Sequence, residues 1–250
     1  MLTEERFSRI LAILEEKNTI SVQELSSQLS TSESTIRRDL TKLSQMGKLR
    51  KFHGGATAVA PLYNTEDDSF SVRLKRNIDS KQKIAQFAAS LVEAGDFIFI
   101  DAGTTTELLS KHLAVRNIGI VTNSTIIARS LANSGYSVTL LGGEIKPLTE
   151  AIVGPMALAD LRPFNFTKGF FGVNGIHPKY GYTTPQMNEA SVKIQAMSQC
   201  RERYILADSS KFNIISPVTF GILSEATIIT DQLRESGFRE YTSVLEVGNP

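Results

Sequence analysis

The sequence predicts an α/β protein with a mainly helical front end, and three observations predict it. Residues 1–57 hold three short helix patterns and then a basic hairpin closed by glycines. Residues 58–70 have no clean period. Residues 71–250 begin helical and, from Phe97 onward, alternate short apolar runs with helical patterns. That alternation is the mark of a mainly parallel sheet covered on both faces.

The first helix spans 3–17, where Phe7, Ile10, Leu11 and Leu14 recur at helical spacing and Asn18 serves as a stop. Ser21-Val-Gln-Glu24 is a capping-box pattern that starts a helix ending near Leu29. Ser32 caps a third helix from Glu33 to about Met46, and Gly47 closes it. With the hairpin around Gly54-Gly55, these elements make a winged helix-turn-helix. Residues 58–70, AVAPLYNTEDDSF, read as a linker, and 71–92 read as helix. The strand runs are 97–103, 118–124, 137–143, 168–176, 203–210, 218–223 and 226–230.

A chain of 250 residues that is 41% hydrophobic and 21% charged is an ordinary soluble protein, and a net charge of +1 singles out no partner. The distribution of charge says more. Between Thr35 and His53, six cations face one anion, Asp39, a net of +5 in 19 residues. The single cysteine, Cys200, excludes an internal disulfide and, with no Cys/His cluster, argues against a structural zinc site. Glu4, Glu5 and the lack of an unbroken apolar stretch at the N-terminus argue against a signal peptide, and no apolar run approaches the roughly 18 residues of a membrane helix. A cytoplasmic location without membrane partners is expected.

On the third helix, Ile36, Leu40 and Leu43 form the buried stripe. Ser34, Thr35, Arg37, Arg38, Thr41 and Lys42 fall largely on the outer faces, with Ser32 at the N-terminus. Arginine can bond two acceptors of guanine at once, and lysines and hydroxyls suit phosphates. Lys48, Arg50, Lys51 and His53 extend the basic surface onto the wing. Charge alone would equally suit a solvated surface. The capped helix pair, the one-sided charge and the basic wing together favour DNA.

TIRRDL at 35–40 and GKLRKFHGGA at 47–56 resemble the signature of the DeoR-type bacterial transcriptional regulators. The resemblance extends over nearly the whole chain. It implies that the third helix reads an operator and that the C-terminal domain is a sensor related to ribose-5-phosphate isomerase. Within the family, the chain looks most similar to regulators of fructose utilisation, with regulators of lactose or tagatose use as the alternative. The first implies fructose 1-phosphate as effector. The sugar does not follow from residue chemistry.

Asp101-Ala-Gly103-Thr104-Thr105-Thr106 follows a strand and opens a helix. Backbone N–H groups at a helix N-terminus favour an anion, Gly103 permits close approach, and the threonines add donors. Similar loops follow other strands at Thr122-Asn123-Ser124, Gly142-Gly143-Glu144, Gly172-Val-Asn174-Gly175 and Asp208-Ser-Ser-Lys211. In a parallel sheet such loops gather on the edge where ligands bind. In the resembled family these positions line the effector pocket. Lys211 could neutralise a phosphate, and Asp101 or Asp208 could accept sugar hydroxyls. Asn188-Glu189-Ala-Ser-Val-Lys193 also resembles a family pattern. Its plain alternative is a surface ion pair between Glu189 and Lys193, one helical turn apart.

His112 reads as a surface residue, His177 beside Pro178 as a turn residue and Cys200 as semi-buried; none is assigned a catalytic or metal-binding role. The leading expectation is a repressor of a sugar-utilisation operon, relieved by a phosphorylated sugar and binding DNA as a homo-oligomer, because paired modules on repeated half-sites supply avidity. An isomerase-like enzyme fused to a DNA-binding module is the rival. The acidic D-G-A-D-E type motif of the resembled isomerases is absent. A DNA-bridging scaffold would leave the polar loop edge unexplained.

Overall fold

The structure, a computed structural model, describes all residues except 1, 18, 59–61, 65–68, 234–235 and 249–250, and also leaves out the side chains of 15, 16 and 62. The chain forms two compact units, Met1–Pro61 and Leu62–Pro250.

The first unit runs α1 (Thr3–Lys17), β1 (Thr19–Ser21), α2 (Val22–Gln28), α3 (Glu33–Gln45), β2 (Leu49–Phe52) and β3 (Gly55–Ala58). The helix starts are fixed by the expected side chains. Ser21 accepts from the Glu24 N–H, and the Glu24 carboxylate accepts from the Ser21 N–H, both at 3.1 Å. Ser32 accepts from the Thr35 N–H at 3.4 Å. Gly54 takes φ +98° at the hairpin tip, where a side chain would strain the turn. The expected stop at Asn18 lies outside the described residues. One strand was not expected: β1 pairs antiparallel with β3, giving the order β1-β3-β2. Three residues are too few to show a period of two. Ile10, Leu14, Leu25, Ile36, Leu40 and Leu43 form the fully buried core. Each such side chain contributes about 1.5–3 kcal/mol by burial, so this core holds the small unit together.

The second unit begins with β4 (Leu62–Tyr63), α4 (Phe70–Lys75) and α5 (Ile78–Ser90). Then follow β5 (Phe97–Ile100), α6 (Thr104–His112), β6 (Gly119–Thr122), α7 (Thr125–Asn133) and β7 (Val138–Leu140). The hairpin β8 (Glu144–Lys146) and β9 (Ala151–Val153) precedes α8 (Pro155–Leu161), β10 (Phe166–Gly172), β11 (Gly175–His177) and β12 (Gly181–Thr184). The chain closes with α9 (Met187–Ser198), β13 (Cys200–Leu206), β14 (Ile214–Ile215), β15 (Val218–Gly221), β16 (Thr227–Thr230) and β17 (Val244–Glu246).

Seven strands form one sheet in the order β17-β16-β13-β10-β5-β6-β7, and every pair is parallel. Alternate residues feed two cores, as the pleat requires. Phe99, Val121, Phe171, Ile205 and Ile228 pack with Ala157 and Leu161 of α8 and Ala190 and Ala196 of α9. Ile98, Ile100, Ile120, Phe170, Leu206 and Ile229 pack with Ile84 of α5, Leu109 of α6 and Ile127 and Leu131 of α7. Both faces are covered, which is why the strands read as unbroken apolar runs. Among the described residues, no helix is long and apolar enough to cross a membrane.

Several local expectations differ from the structure. The run 218–223 does not join the main sheet: β15 pairs antiparallel with β12, in a small sheet ordered β11-β12-β15. Only residues 207–217 separate it from β13, fewer than the dozen or so that a parallel crossover needs. The run 168–176 divides into β10 and β11. The stretch 71–92 divides at Asn77, whose φ of +54° separates α4 from α5. Within the expected linker 58–70, 59–61 and 65–68 lie outside the described residues, while Leu62 and Tyr63 pair in parallel with Ile214 and Ile215. The hairpin β8–β9 and the edge strand β17 were not expected.

Candidate functional site

In the first unit, the buried stripe of α3 leaves Ser34, Arg37, Arg38 and Lys42 exposed, with Thr35 and Thr41 half-buried. Asp39, which offsets the cations in the sequence, is buried and ion-paired with Arg6 of α1. Its charge is therefore spent inside the unit, and the exposed face is more basic than the sequence count suggests. On the wing, Arg50, Lys51 and His53 are exposed and Lys48 is half-buried. The Thr41 hydroxyl donates to the Arg37 carbonyl and accepts from Lys51 Nζ, both at 2.8 Å, so the wing is tied to the helix beside it. Arg37 also meets Glu33 at 3.2 Å across exposed surface, a contact worth only a few tenths of a kcal/mol. The Ser32 hydroxyl bonds those of Ser34 and Thr35, so it works chiefly as a helix cap. Phe52, exposed on the wing, is an apolar group the charge pattern did not single out.

In the second unit, the strand order sets the place of the candidate site. From β5 the chain builds outward through β6 and β7, then returns to the other side of β5 with β10. The order therefore reverses between β5 and β10, and such a switch point leaves a crevice at the strand C-termini. A cavity of about 560 Å³, counting its open mouth, lies there. The loop after β5 supplies Ala102, Gly103, Thr104 and Thr105; the loop after β10 supplies Gly172, Val173 and Asn174. Leu206, Asp208 and Lys211 come from the end of β13, and Glu189 and Lys193 from α9. A Cβ on Gly103 would stand 3.0 Å from Thr106 Oγ1 and 3.8 Å from the Gly172 Cα, which shows how closely the two loops approach.

Thr104 and Thr105 are each 7% exposed, and among the described residues neither hydroxyl has a hydrogen-bond partner. Neither hydroxyl is among the buried, unbonded side-chain atoms, so both keep contact with solvent at the cavity wall, where a ligand can meet them. Behind them, Lys193 donates to Asp101 and, at 3.1 Å, to the Gly172 carbonyl, while Asp101 accepts from the Gly172 N–H at 3.0 Å. Burial pushes the Asp101 carboxyl up, against the pull of Lys193. Glu189 pairs with Lys146 at 2.9 Å and accepts from Thr149 at 2.8 Å. Burial alone would raise its pKa, but Lys193, Lys146 and Thr149 hold it below the usual carboxylate range. The alternative of a Glu189–Lys193 surface ion pair is thus not what forms: both side chains are buried and each has another partner. Asp208 is oriented by Asn77 Nδ2 at 2.9 Å and by the Ser210 N–H at 3.1 Å.

Other expected effector residues lie elsewhere. Asp101 sits behind the cavity wall. Thr106 is fully buried and donates to the Gly103 carbonyl at 2.9 Å. Thr122 donates to the Ile100 carbonyl at 2.6 Å, and Asn123 accepts from the Ala102 N–H at 2.8 Å. These two fasten β6 to the β5 loop and shape the site from behind. Gly142 donates to Asp160 at 2.8 Å, Gly143 packs on Val153 and Ala157, and Gly175 packs on Ile214. The loops after β6 and β7 fall short because those strands lie on the far side of β5 from β10.

Two charged lining residues were not expected: Arg73 of α4 and Lys81 of α5. Lys81 is 5% exposed and donates to the Arg73 carbonyl. Burial lowers its pKa to about 8, with Asp208 opposing and Lys211, Arg73 and Arg76 adding to the fall. Its sequence signal is the basic stretch from Arg73 to Lys83, which reads as ordinary helix surface. His112 is exposed, and His177, expected in a turn, is instead the last residue of β11, its Nδ1 accepting from the Lys179 N–H of the following turn at 3.1 Å. Cys200 is fully buried, and burial pushes its thiol up to about 12, which leaves it inert.

Comparison with known proteins follows the same division. The DeoR-like helix-turn-helix domain matches residues 6–61 and the DeoR C-terminal sensor domain matches residues 76–232. The "Uncharacterized HTH-type transcriptional regulator FruR" of Bacillus subtilis (strain 168) is 40% identical over 253 residues, covering 100% of both chains. The lactose phosphotransferase system repressor of Streptococcus mutans is 33% identical, again over 100% of both. The HTH-type transcriptional repressor GlcR of Bacillus subtilis is 32% identical, over 95% of this chain and 92% of that one. These relatives are named as regulators or repressors of transcription rather than as enzymes. A solved ribose 5-phosphate isomerase A from Methanocaldococcus jannaschii overlaps 54% of this chain and 55% of its own, at 18% identity and a TM-score of 0.41, too low to carry an argument.

Proposed function

The chain belongs to the DeoR family of transcriptional regulators, and from that premise we propose that it represses a sugar-utilisation operon and is released by a phosphorylated sugar. The first unit reads the operator: Arg37 and Arg38 reach base edges, and Lys42, Arg50 and Lys51 grip phosphates. The second unit senses the effector. The observation that carries this reading is the placing of Thr104 and Thr105, at the start of α6, in a cation-lined cavity at the sheet's switch point. Neutral donors and cations around one cleft suit a phosphate ester, and Asp208 and Asn174 suit the hydroxyls of a sugar. Fructose 1-phosphate is the first ligand to try. The protein acts in the cytoplasm as a homo-oligomer, because a single small module grips DNA weakly and paired modules gain by avidity.

The test uses the full chain. Its operator is selected from a random DNA pool, and its affinity is then measured with and without each of a panel of sugar phosphates. One of them should weaken operator binding by about 5- to 150-fold, the usual span of such coupling. A chain that prefers no DNA sequence, or whose DNA complex ignores every phosphorylated sugar, would contradict the proposal.

A further inference from the structure

Granting that the cavity takes a phosphorylated sugar, we infer that the sugar acts by pinning the chain that enters the second unit, which shortens the connection to the DNA-reading unit. The second unit begins with β4 and α4, and both bring residues to the cavity and its mouth: Asn64 directly after β4, and Arg73 of α4. The entry chain is thus a wall of the effector site. A ligand in the cavity favours the arrangement in which this wall is docked, because only that arrangement supplies its contacts.

The protein by itself holds the entry chain lightly. β4 is two residues long and hangs on β14, with the Asn64 N–H donating to the Ile215 carbonyl at 2.8 Å. α4 has six residues, none fully buried, and so short a helix gains little from its own hydrogen bonds. The Phe70 N–H donates to the Leu148 carbonyl at 3.0 Å. Two further holds come from cavity residues: Lys81 donates to the Arg73 carbonyl, and Asp208 accepts from Asn77 at the corner between α4 and α5. A sugar phosphate bound to Lys81 and Asp208 therefore fixes the groups that fix α4.

Pinning changes how much chain lies between the units. With β4 and α4 docked, three residues, 59–61, separate β3 from β4; with both undocked, seventeen, 59–75, separate β3 from the α4–α5 corner. At about 3.4 Å per residue, the greatest span rises from roughly 10 Å to roughly 60 Å. Paired half-sites on DNA stand about 34 Å apart or a multiple of it. The longer connection lets two DNA-reading units occupy both half-sites, and the shorter one removes that avidity.

The experiment measures binding of the full chain to two duplexes, the selected operator and a single half-site cut from it, with added ketohexose and aldohexose monophosphates, fructose 1-phosphate first. The monophosphate that releases the operator should weaken the paired site about 5- to 150-fold and the single half-site by about twofold or less. In the wild type it should also slow amide hydrogen exchange in α4 by about two- to tenfold, the worth of one hydrogen bond. Leu74→Ala loosens α4 at a half-buried position that does not line the cavity, and should raise the concentration needed for release about three- to tenfold. Equal weakening on both duplexes, α4 exchange that is unchanged or faster, or an unchanged release concentration in Leu74→Ala would overturn the pinning and leave the sugar-phosphate reading standing. Failure of every sugar phosphate to release the operator would overturn both.

Discussion

Arg37, Arg38, Lys42, Arg50 and Lys51 are exposed on the first unit. Asp101, Thr104, Thr105, Glu189, Lys193 and Asp208 are each at least nine-tenths buried in the second. The same kinds of side chain are thus used in opposite ways. Exposed cations lose little on folding and act at long range on a polyanion, with a grip that salt weakens. Buried polar groups must be matched within the protein or by a ligand, so they hold one small molecule and respond to its arrival. The first unit can therefore change its contacts without changing its fold. The second ties fold and binding together.

The largest effect expected from this contrast concerns the cores. Leu40→Ala removes a fully buried side chain from the small unit and should cost about 2–5 kcal/mol. Operator binding should fail while calorimetry still shows sugar-phosphate binding by the second unit. Loss of both would mean the units are not energetically separate. A smaller effect separates reading from gripping. Arg38→Ala should cost about 1–3 kcal/mol against the preferred operator and little against other sequences. Lys51→Ala should weaken binding to all sequences alike and reduce the salt slope by about 0.9. Affinities measured over a salt series on two DNA sequences decide it: a changed base preference in the Lys51 variant would reverse the roles.

The two units also differ in how much the sequence revealed. The first is written in local signals: the capping box Ser21–Glu24, the Ser32 cap, the stripe Ile36–Leu40–Leu43 and Gly54 at the turn. Each acts within a few residues, so helix bounds and exposed cations could be read directly. What escaped was β1, which exists only by pairing with β3. In the second unit the strands were legible from their apolar runs, and the loops after β5, β10 and β13 do line the cavity. The loops after β6 and β7 do not, because strand order decides which loops meet, and order is a property of the whole sheet. Arg73 and Lys81 escaped for the same reason. They lie before the first strand of the seven-stranded sheet, and only tertiary packing brings them beside Asp208 and Lys211, more than a hundred residues later.

The hydroxyls of Thr104 and Thr105 in the cavity of the second unit receive the signal, and the exposed cations of the first carry out the response. Operator binding by the double variant Thr104→Val, Thr105→Val, titrated with the sugar phosphate that releases the wild type, tests this division most directly. Both substitutions remove a donor at nearly constant volume. The double variant should bind the operator as tightly as the wild type without ligand and should not release it at ligand concentrations that free the wild type. Release at the wild-type ligand concentration would place the phosphate elsewhere and contradict the account.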